Sequence, residues 1–297
     1  VDTRLLRYFL AVVDAGSVHR AAEQLYVAQP SVSQALRALE RDLGSLLFHR
    51  TGRRLVLTAA GRALIGPARE VMRGLDLART TVAAVDGLLG GELVVATMPS
   101  QSVSPLTGMI AAFAARHPLV QLTVRGGRTP TDVQAMLATG DAELGLVATD
   151  LSAPASPELM CLDLETQRFA LLAKDEAALP AGDPVHPADL AGHALIVGQR
   201  GTGMRRVADS IRLQAPDIRF AVEVEHREAV LPLVLTGVGV AIVPDSWESL
   251  ARSAGAAVRA LDCPDVLQVS LVYRSGRLSP AAAAFLESAQ AVETPSV

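Results

Sequence analysis

Gln29, Ser33, Gln34, Arg37 and Arg41 lie on one side of a short stretch whose other side, Val32, Leu36, Leu39 and Leu43, is apolar at alternating spacings of four and three. That spacing is helical and turns the apolar row toward a core, leaving the amides, hydroxyl and guanidinium groups outward. A glutamine can make paired hydrogen bonds to an adenine edge in the major groove, and an arginine to guanine or to phosphate. Just beyond, Phe48–Thr58 reads as two short strands around a Gly52 turn, with Arg50, Arg53 and Arg54 at the tip. Such a basic hairpin is the layout of a wing that straddles a phosphate backbone. The plainer alternative is a solvated amphipathic helix followed by a solvated hairpin.

Placing those groups takes further elements. Ser17-Val18-His19-Arg20-Ala21-Ala22-Glu23-Gln24-Leu25 reads as a short helix opened by a serine cap, and Ala28-Gln29-Pro30-Ser31 opens the next, with proline in its first turn. Two short helices with a brief turn between them suggest a helix-turn-helix. Ahead of them Leu6, Phe9, Leu10 and Val13 recur at helical spacing and Gly16 ends the run, so Thr3–Ala15 is a helix that supplies the third wall of a small core. The helix pair and the basic hairpin all fall within Ser17–Leu57, and together they favour the nucleic-acid reading.

These residues also carry a resemblance. Leu6-Arg7-Tyr8-Phe9, Gly16-Ser17, Ala21-Ala22, Ala28-Gln29-Pro30-Ser31, Leu39-Glu40, Leu43-Gly44, Leu47-Phe48, Arg50 and Leu57-Thr58-Ala59-Ala60-Gly61 resemble the N-terminal domain of the LysR-type transcriptional regulators. The match is dense from Arg4 to about Leu89, and the order of the elements beyond it is similar to that family over the whole chain. The resemblance implies a sequence-specific regulator of transcription controlled by a small-molecule effector, with Gln29, Pro30, Ser31, Ser33, Gln34, Arg37, Arg50, Arg53, Arg54 and His19 on double-stranded DNA. Two positions depart from the family's habit: Gln34 stands where arginine is common, and His19 where threonine or serine is common.

At 297 residues, half of them apolar, the chain can bury real cores in two or three domains. Its net charge of −4 hides an asymmetry: residues 1–90 carry 12 arginines against eight acids, and the acidic excess lies in the remainder. A basic front on an acidic body suits a protein that meets nucleic acid at one end. Two cysteines, Cys161 and Cys263, with no signal-peptide pattern, suggest a reducing cytoplasm. No apolar run reaches the roughly 18–20 residues of a membrane span.

From Thr58 onward Leu64, Ala68, Val71, Leu75, Ala78, Val82, Val85 and Leu89 form an unbroken heptad seam. The expected partner is the same helix of a second copy, giving a homodimer and then a homotetramer; packing on the chain's own C-terminal part is the alternative. Gly66 and Pro67 should bend this helix rather than break it. After Gly90-Gly91 the chain alternates strand and helix patterns, which implies parallel α/β sheets. The expected fold class is α/β, and the family resemblance implies an N-terminal winged helix-turn-helix (1–58), a long linker helix (59–89) and a C-terminal periplasmic-binding-protein-like domain (90–297). That last domain has two α/β subdomains, I about 90–161 and 267–297 and II about 162–266, with crossings near Met160–Asp163 and Cys263–Leu267. The cysteines fall on those crossings, where they could approach each other; they are read as small apolar residues rather than a redox pair.

Catalytic signatures do not emerge. There is no G-x-S-x-G, H-E-x-x-H or Walker-type loop, Lys174 is the only lysine, and the six histidines show no metal-ligand spacing. No cofactor is expected. In open α/β sheets ligands sit beyond the carboxyl ends of strands. Three polar loops precede predicted helices there and give Ser100, Gln101, Ser102, Thr129, Gln199 and Thr202 as effector-binding residues, with His226, ahead of a further predicted helix, added to them. The effector is expected to be anionic, held by helix N-termini with Arg128, Arg200 and Arg205 as candidate counter-charges. A plain capping role explains each loop singly. The alternative function is a small-molecule-binding protein or enzyme of the α/β class with an accessory basic domain; the Gln29–Arg41 helix and the arginine hairpin, which such a protein would not need, weigh against it.

Overall fold

The computed structural model describes residues 2–51, 54–85, 90–151, 158–276 and 278–292. Two compact units divide it: Val1–Gly91 with Ala138–Asp141, and Glu92–Leu137 with Ala142–Val297. The first holds α1 (Thr3–Ala15), α2 (Val18–Gln24), α3 (Gln29–Leu43), the hairpin β1 (Phe48–Thr51) and β2 (Arg54–Leu57), and α4 (Ala59–Val85). Asp2 opens α1 by accepting the Arg4 N–H at 2.8 Å, and Gly16, at φ +65°, closes it in the left-handed conformation that glycine adopts without steric penalty. Phe9, Val12, Ala21, Val32, Leu36, Leu39, Leu47 and Ala68 form the core, where the Phe9 and Phe48 rings lie 5.6 Å apart. Leu43, expected in the apolar row, is 39 % exposed, because α3 ends at Gly44 before that turn can be covered. The helix α4 runs through Pro67 unbroken; the last seam residue, Leu89, lies outside the described residues.

The second unit contains two five-stranded sheets. In chain order it comprises β3 (Gly91–Thr97), α5 (Pro99–Val103), α6 (Leu106–Arg116), β4 (Val120–Gly126), α7 (Pro130–Thr139), β5 (Leu144–Asp150), β6 (Leu159–Gln167) and β7 (Phe169–Ala173). Then come β8 (Ala194–Gly198), α8 (Gly203–Gln214), β9 (Arg219–Val224), α9 (Val230–Leu235), β10 (Val240–Pro244), α10 (Glu248–Ser253), β11 (Ala257–Ala260), β12 (Leu267–Arg274) and α11 (Pro280–Val292). One sheet has the order β4-β3-β5-β12-β6 and the other β11-β7-β10-β8-β9. Fully buried leucines and valines such as Leu93, Val95, Leu144, Leu171, Leu195 and Val243 fill the strand interiors.

Three expectations need correction. The sheets are mixed, not parallel: β3 and β5 are parallel, as are β8, β9 and β10, but β12 runs antiparallel to β5 and β6, and β7 antiparallel to β10 and β11. The antiparallel members are those that carry the chain from one sheet to the other. The first crossing lies at Arg168, not at Met160–Asp163, because β6 stays paired with β12 from Leu159 to Gln167; its polar end, Glu165-Thr166-Gln167, reads as loop but belongs to that ladder. The helix expected over Val103–Arg116 begins only at Leu106, since Pro105 has no N–H to donate and Ser104 is extended, and Pro99–Val103, expected as mostly polar loop, is a short helix of its own. Likewise Arg227–Ala229 is a separate 3₁₀ turn ahead of α9, and α10, six residues long, has too little periodicity to be read.

The same register separates the cysteines. Cys161 on β6 faces Val272 of β12, roughly 17 Å along the strand from Leu267, before which the loop with Cys263 lies. A disulfide needs Cα atoms within about 7 Å. Mild oxidation is therefore expected to leave the monomer mass unchanged; loss of two hydrogens with a 161–263 linked peptide in mass spectrometry would contradict this register.

Candidate nucleic-acid interface and ligand cleft

The reading head is assembled from short-range bonds. Ser17 Oγ accepts the Arg20 N–H at 3.1 Å and opens α2, which buries Ala21 and Ala22. The turn to α3 passes through Tyr26 at φ +53°. Pro30 sits in the first turn of α3, and Val32, Ala35, Leu36 and Leu39 face the core. Gln29, Pro30, Ser31, Gln34, Arg37 and Arg41 are exposed and Ser33 half-buried, so all of these sequence-predicted residues share the outer side of one helix. Among the described residues the side chains of Gln29, Ser33, Gln34 and Arg37 make no hydrogen bond, whereas Arg41 Nε donates back to the Arg37 carbonyl at 3.3 Å. His19, on α2, is exposed and lies 3.4 Å from Glu23.

The wing is fixed to this helix by a carboxylate and a hydroxyl. Glu40 on α3 accepts the N–H groups of Leu47 (2.8 Å) and Phe48 (3.4 Å). Thr58 Oγ1 donates to the Leu46 carbonyl at 2.7 Å and accepts the Gly61 N–H at 2.9 Å. Gly61 has to be glycine: a Cβ there would run into the Leu47 carbonyl oxygen. The β1–β2 register, Phe48↔Leu57 to Thr51↔Arg54, puts Arg50 and Arg54 on the two strands beside the tip; Arg53 and Gly52 lie outside the described residues. Tyr26, 96 % exposed beside the start of α3, escapes a reading of the sequence, since a tyrosine in a turn carries no motif.

In the second unit, Ser100 and Gln101 are buried on α5 beyond the carboxyl end of β3. Ser102 Oγ turns back to the Pro99 carbonyl at 2.6 Å. Thr129 and Asp132 cap α7 reciprocally, each accepting a backbone N–H from the other's segment. Thr202 caps α8, donating to the Gln199 carbonyl at 2.8 Å and accepting the Arg205 N–H at 3.4 Å. His226 is exposed at 80 % and meets Glu228 at 3.5 Å. Ser100 is thus brought against the other sheet's elements, while Ser102, Thr129 and His226 are occupied locally. Gln167 Nε2 donates to Glu165 at 2.7 Å, which leaves Gln167 Oε1 to accept from Gln101 Nε2 at 3.4 Å and Gln101 Oε1 buried without a partner.

The expected counter-charges prove to be occupied or solvated. Arg205 pairs with Asp209 (3.1 Å) and Glu223 (2.5 Å) and stacks on Phe220; Arg128 pairs with Glu225 at 3.4 Å; Arg200 is exposed. A residue that sequence reasoning misses is Arg227, 7 % exposed. Its Nη1 donates to Ser100 Oγ at 3.2 Å across the two subdomains and touches the Met204 thioether. Burial pulls its pKa down to about 10, so it stays charged at neutral pH while the fold disfavours that charge at every pH below about 10. Its place at the carboxyl end of β9, next to His226, is the one signal the sequence offers. Trp247 Nε1 donates to the Ser100 carbonyl at 3.2 Å from the same side. Burial also raises the thiols of Cys161 and Cys263. Among the described residues no group of His, Cys, Asp and Glu could hold a metal ion, and no helix is long and apolar enough to cross a membrane.

A winged helix-turn-helix followed by two α/β sheets joined by crossing strands defines a class of ligand-responsive DNA-binding proteins. The chain belongs to the LysR family of bacterial regulators: residues 3–62 match the bacterial regulatory helix-turn-helix of the lysR family, and residues 86–293 match the LysR substrate binding domain. It is 30 % identical to the RuBisCO operon transcriptional regulator of Allochromatium vinosum, over 97 % of this chain and 95 % of that one. It is also 30 % identical to the transcriptional activator protein LysR of Escherichia coli, over 95 % and 89 %. Full-length CbnR, solved in complex with its target DNA, superposes with a TM-score of 0.70 at 26 % identity, covering 98 % and 99 %. The protein is a transcriptional regulator with a DNA-binding and an effector-binding domain, not an enzyme.

Because Glu40 holds two backbone donors with an ionised acceptor, Glu40→Ala is expected to lower the stability of the reading head by about 1.5–3 kcal/mol. Urea unfolding followed by circular dichroism measures it; a loss under about 0.5 kcal/mol would show that the wing is held by packing alone.

Proposed function

We propose that this regulator reads its operator with α3 in the major groove, Gln29 and Ser33 contacting base edges and Arg37, Arg50, Arg53 and Arg54 the backbone or the adjoining minor groove. Pro30, Ser31, Gln34, His19 and the Tyr26 phenol border that surface. The observation that carries the reading is the row of polar side chains on α3, of which Gln29, Ser33, Gln34 and Arg37 make no hydrogen bond among the described residues, opposite the buried Val32, Ala35, Leu36 and Leu39. Groups held ready by a rigid helix and not satisfied internally are those that can exchange water for base edges. Gln29→Ala is expected to weaken binding to DNA from upstream of the regulator's own gene by about 1–3 kcal/mol, with little change on random DNA. Equal losses on both in a gel-shift titration would contradict base readout.

The domain division proposed is 1–58 for the winged head, 59–89 for the linker helix and 90–297 for the effector domain, acting in the cytoplasm as a homodimer through the linker and a homotetramer as a pair of dimers. Support comes from α4, where Val71 is 45 % and Val82 70 % exposed on the heptad seam. Two linked heads make the second half-site contact intramolecular, which raises the avidity of a modestly basic domain. Leu75→Arg, which would set two charges in the seam, is expected to lower the mass measured by light scattering; an unchanged oligomer would assign the seam another role.

The effector is proposed to be a small anion bound between the two subdomains, near Ser100, Gln101, Ser102, Thr129, Gln199, Thr202 and His226. Supporting this are the buried polar groups of α5 and the helix starts after β3, β4 and β8. Such a ligand acts only through its different affinities for two arrangements of the subdomains.

A further inference from the structure

We propose that Arg227 is the seat of the effector's anionic group, and that this group is a single carboxylate carried on an apolar body. The proposal rests on the cleft reading above and adds the residue and the ligand chemistry to it. Isolated guanidinium groups are seldom left in protein interiors, because desolvation outweighs what a neutral partner returns. Arg205 shows how this fold normally handles one: 5 % exposed at its side chain, it faces two carboxylates and an aromatic ring. Arg227 is buried to a similar degree with only the Ser100 hydroxyl and the Met204 thioether. Among the described residues no carboxylate lies within ion-pair distance of it, and the acids nearest in sequence are engaged elsewhere, Glu223 with Arg205, Glu225 with Arg128 and Glu228 with His226.

The surroundings select the anion. A Cβ at Gly198 would stand 3.1 Å from Arg227 Nη2 and 3.1 Å from Thr202 Oγ1, so the glycine lets the guanidinium lie against the segment that opens the twelve-residue helix α8. An anion placed there meets the positive end of α8 as well as the planar fork of N–H donors, which suits a carboxylate. A dianion such as phosphate would bring a second charge for which the cleft offers only the solvent-exposed Arg200: Arg128, Arg205 and Arg206 are already paired with Glu225, with Asp209 and Glu223, and with Asp150. Apolar groups adjoin the site as well. Met204 touches the guanidinium, Trp247 reaches Ser100, and Leu267 lies 3.3 Å from a Cβ built at Gly203. The Ser100 hydroxyl accepts the Arg227 Nη1 donor that a carboxylate would take. A carboxylate taking that place would free Ser100 to donate to it, leaving the ligand held by both subdomains.

The test is a thermal-shift and calorimetric titration of the full chain with acetate, butyrate, hexanoate and phenylacetate, each against its amide, with inorganic phosphate and with sodium chloride at matched ionic strength. Carboxylates should stabilise the wild type increasingly with apolar size, and the amides and phosphate should not. Arg227→Gln should weaken hexanoate or phenylacetate roughly ten- to a hundred-fold, and Arg227→Lys should restore part of the preference for acid over amide. Carboxylate binding that is lost in Ser100→Ala and Thr129→Ala but unchanged in Arg227→Gln overturns the role of Arg227 and leaves the cleft standing; binding unchanged in all three variants overturns both. A panel that leaves the wild type unmoved at tens of millimolar, or one in which amides or phosphate bind best, also overturns it. Should Arg227→Gln fail to fold, Arg227→Lys and the acid-against-amide comparison in the wild type decide.

Discussion

The ladder between β6 and β12 is the constraint on which the effector domain depends. Both passages of the chain between the sheets start or end on these two neighbouring strands, which pair from Leu159↔Arg274 to Gln167↔Leu267. Two lobes joined by adjacent strands share a single hinge edge, and a cleft between them can widen only by rotation about it. The loops after β3 in one lobe and after β8 and β9 in the other then face each other, which is why Ser100 and Arg227, 127 residues apart in sequence, share a hydrogen bond. Exposed pairs across the lobes, such as Arg128 with Glu225, are screened by water and contribute little. The buried contacts between the lobes converge on Ser100 from Arg227 and Trp247.

A different device rules the reading head. Its helix α3 and hairpin are separate elements, and in the docking proposed above their mutual angle would determine which phosphates the hairpin reaches while α3 lies in a groove. The segment Leu46–Phe48 takes up that task, stapled to α3 through Glu40 and to the start of α4 through Thr58. The close approach at Gly61, where any side chain would run into the Leu47 carbonyl, leaves the segment no room to slide. Base readout tolerates errors of only a few tenths of an ångström, so a joint built from charged and buried hydrogen bonds suits it better than an apolar contact, which has no preferred direction.

Much of this is legible in the sequence, and the reasons are local. The helices α1 and α3 carry a 3.6-residue apolar rhythm, Gly16 closes α1 and Ser17 opens α2, and the buried strands of the second unit are short apolar runs. The features that escape depend on partners far along the chain. The polar end of β6 is a strand only because β12 lies beside it, and the direction of β12 follows from its arriving out of the other sheet. The split at Pro105 is visible as a proline, but the apolar pattern on either side overrules it. Among the ligand-site residues, Ser100 and Thr202 can be placed from their positions ahead of helices. Arg227 cannot, since a buried cation is indistinguishable in sequence from the surface arginines around it.

What sets Arg227 apart is an absence, and absences are visible only in three dimensions. Arg205 has its acid at the helical spacing of four, Asp209, and a reader of the sequence can foresee that pair. Arg227 is followed at once by Glu228, yet the two diverge: Glu228 meets His226 in solvent while the guanidinium turns inward. Had the fold needed this cation for stability, a carboxylate at one of the positions now held by Ser100, Met204 or Gly198 would have served better than a hydroxyl, a thioether and a bare backbone. Burial lowers its pKa to about 10 because no carboxylate among the described residues offsets the loss of water. A site that disfavours its own charge gains more from an incoming anion than a surface arginine would, because desolvation has already been incurred in the folded state. The protein thus stores in one side chain the difference in affinity that a ligand must exploit if it is to move the lobes.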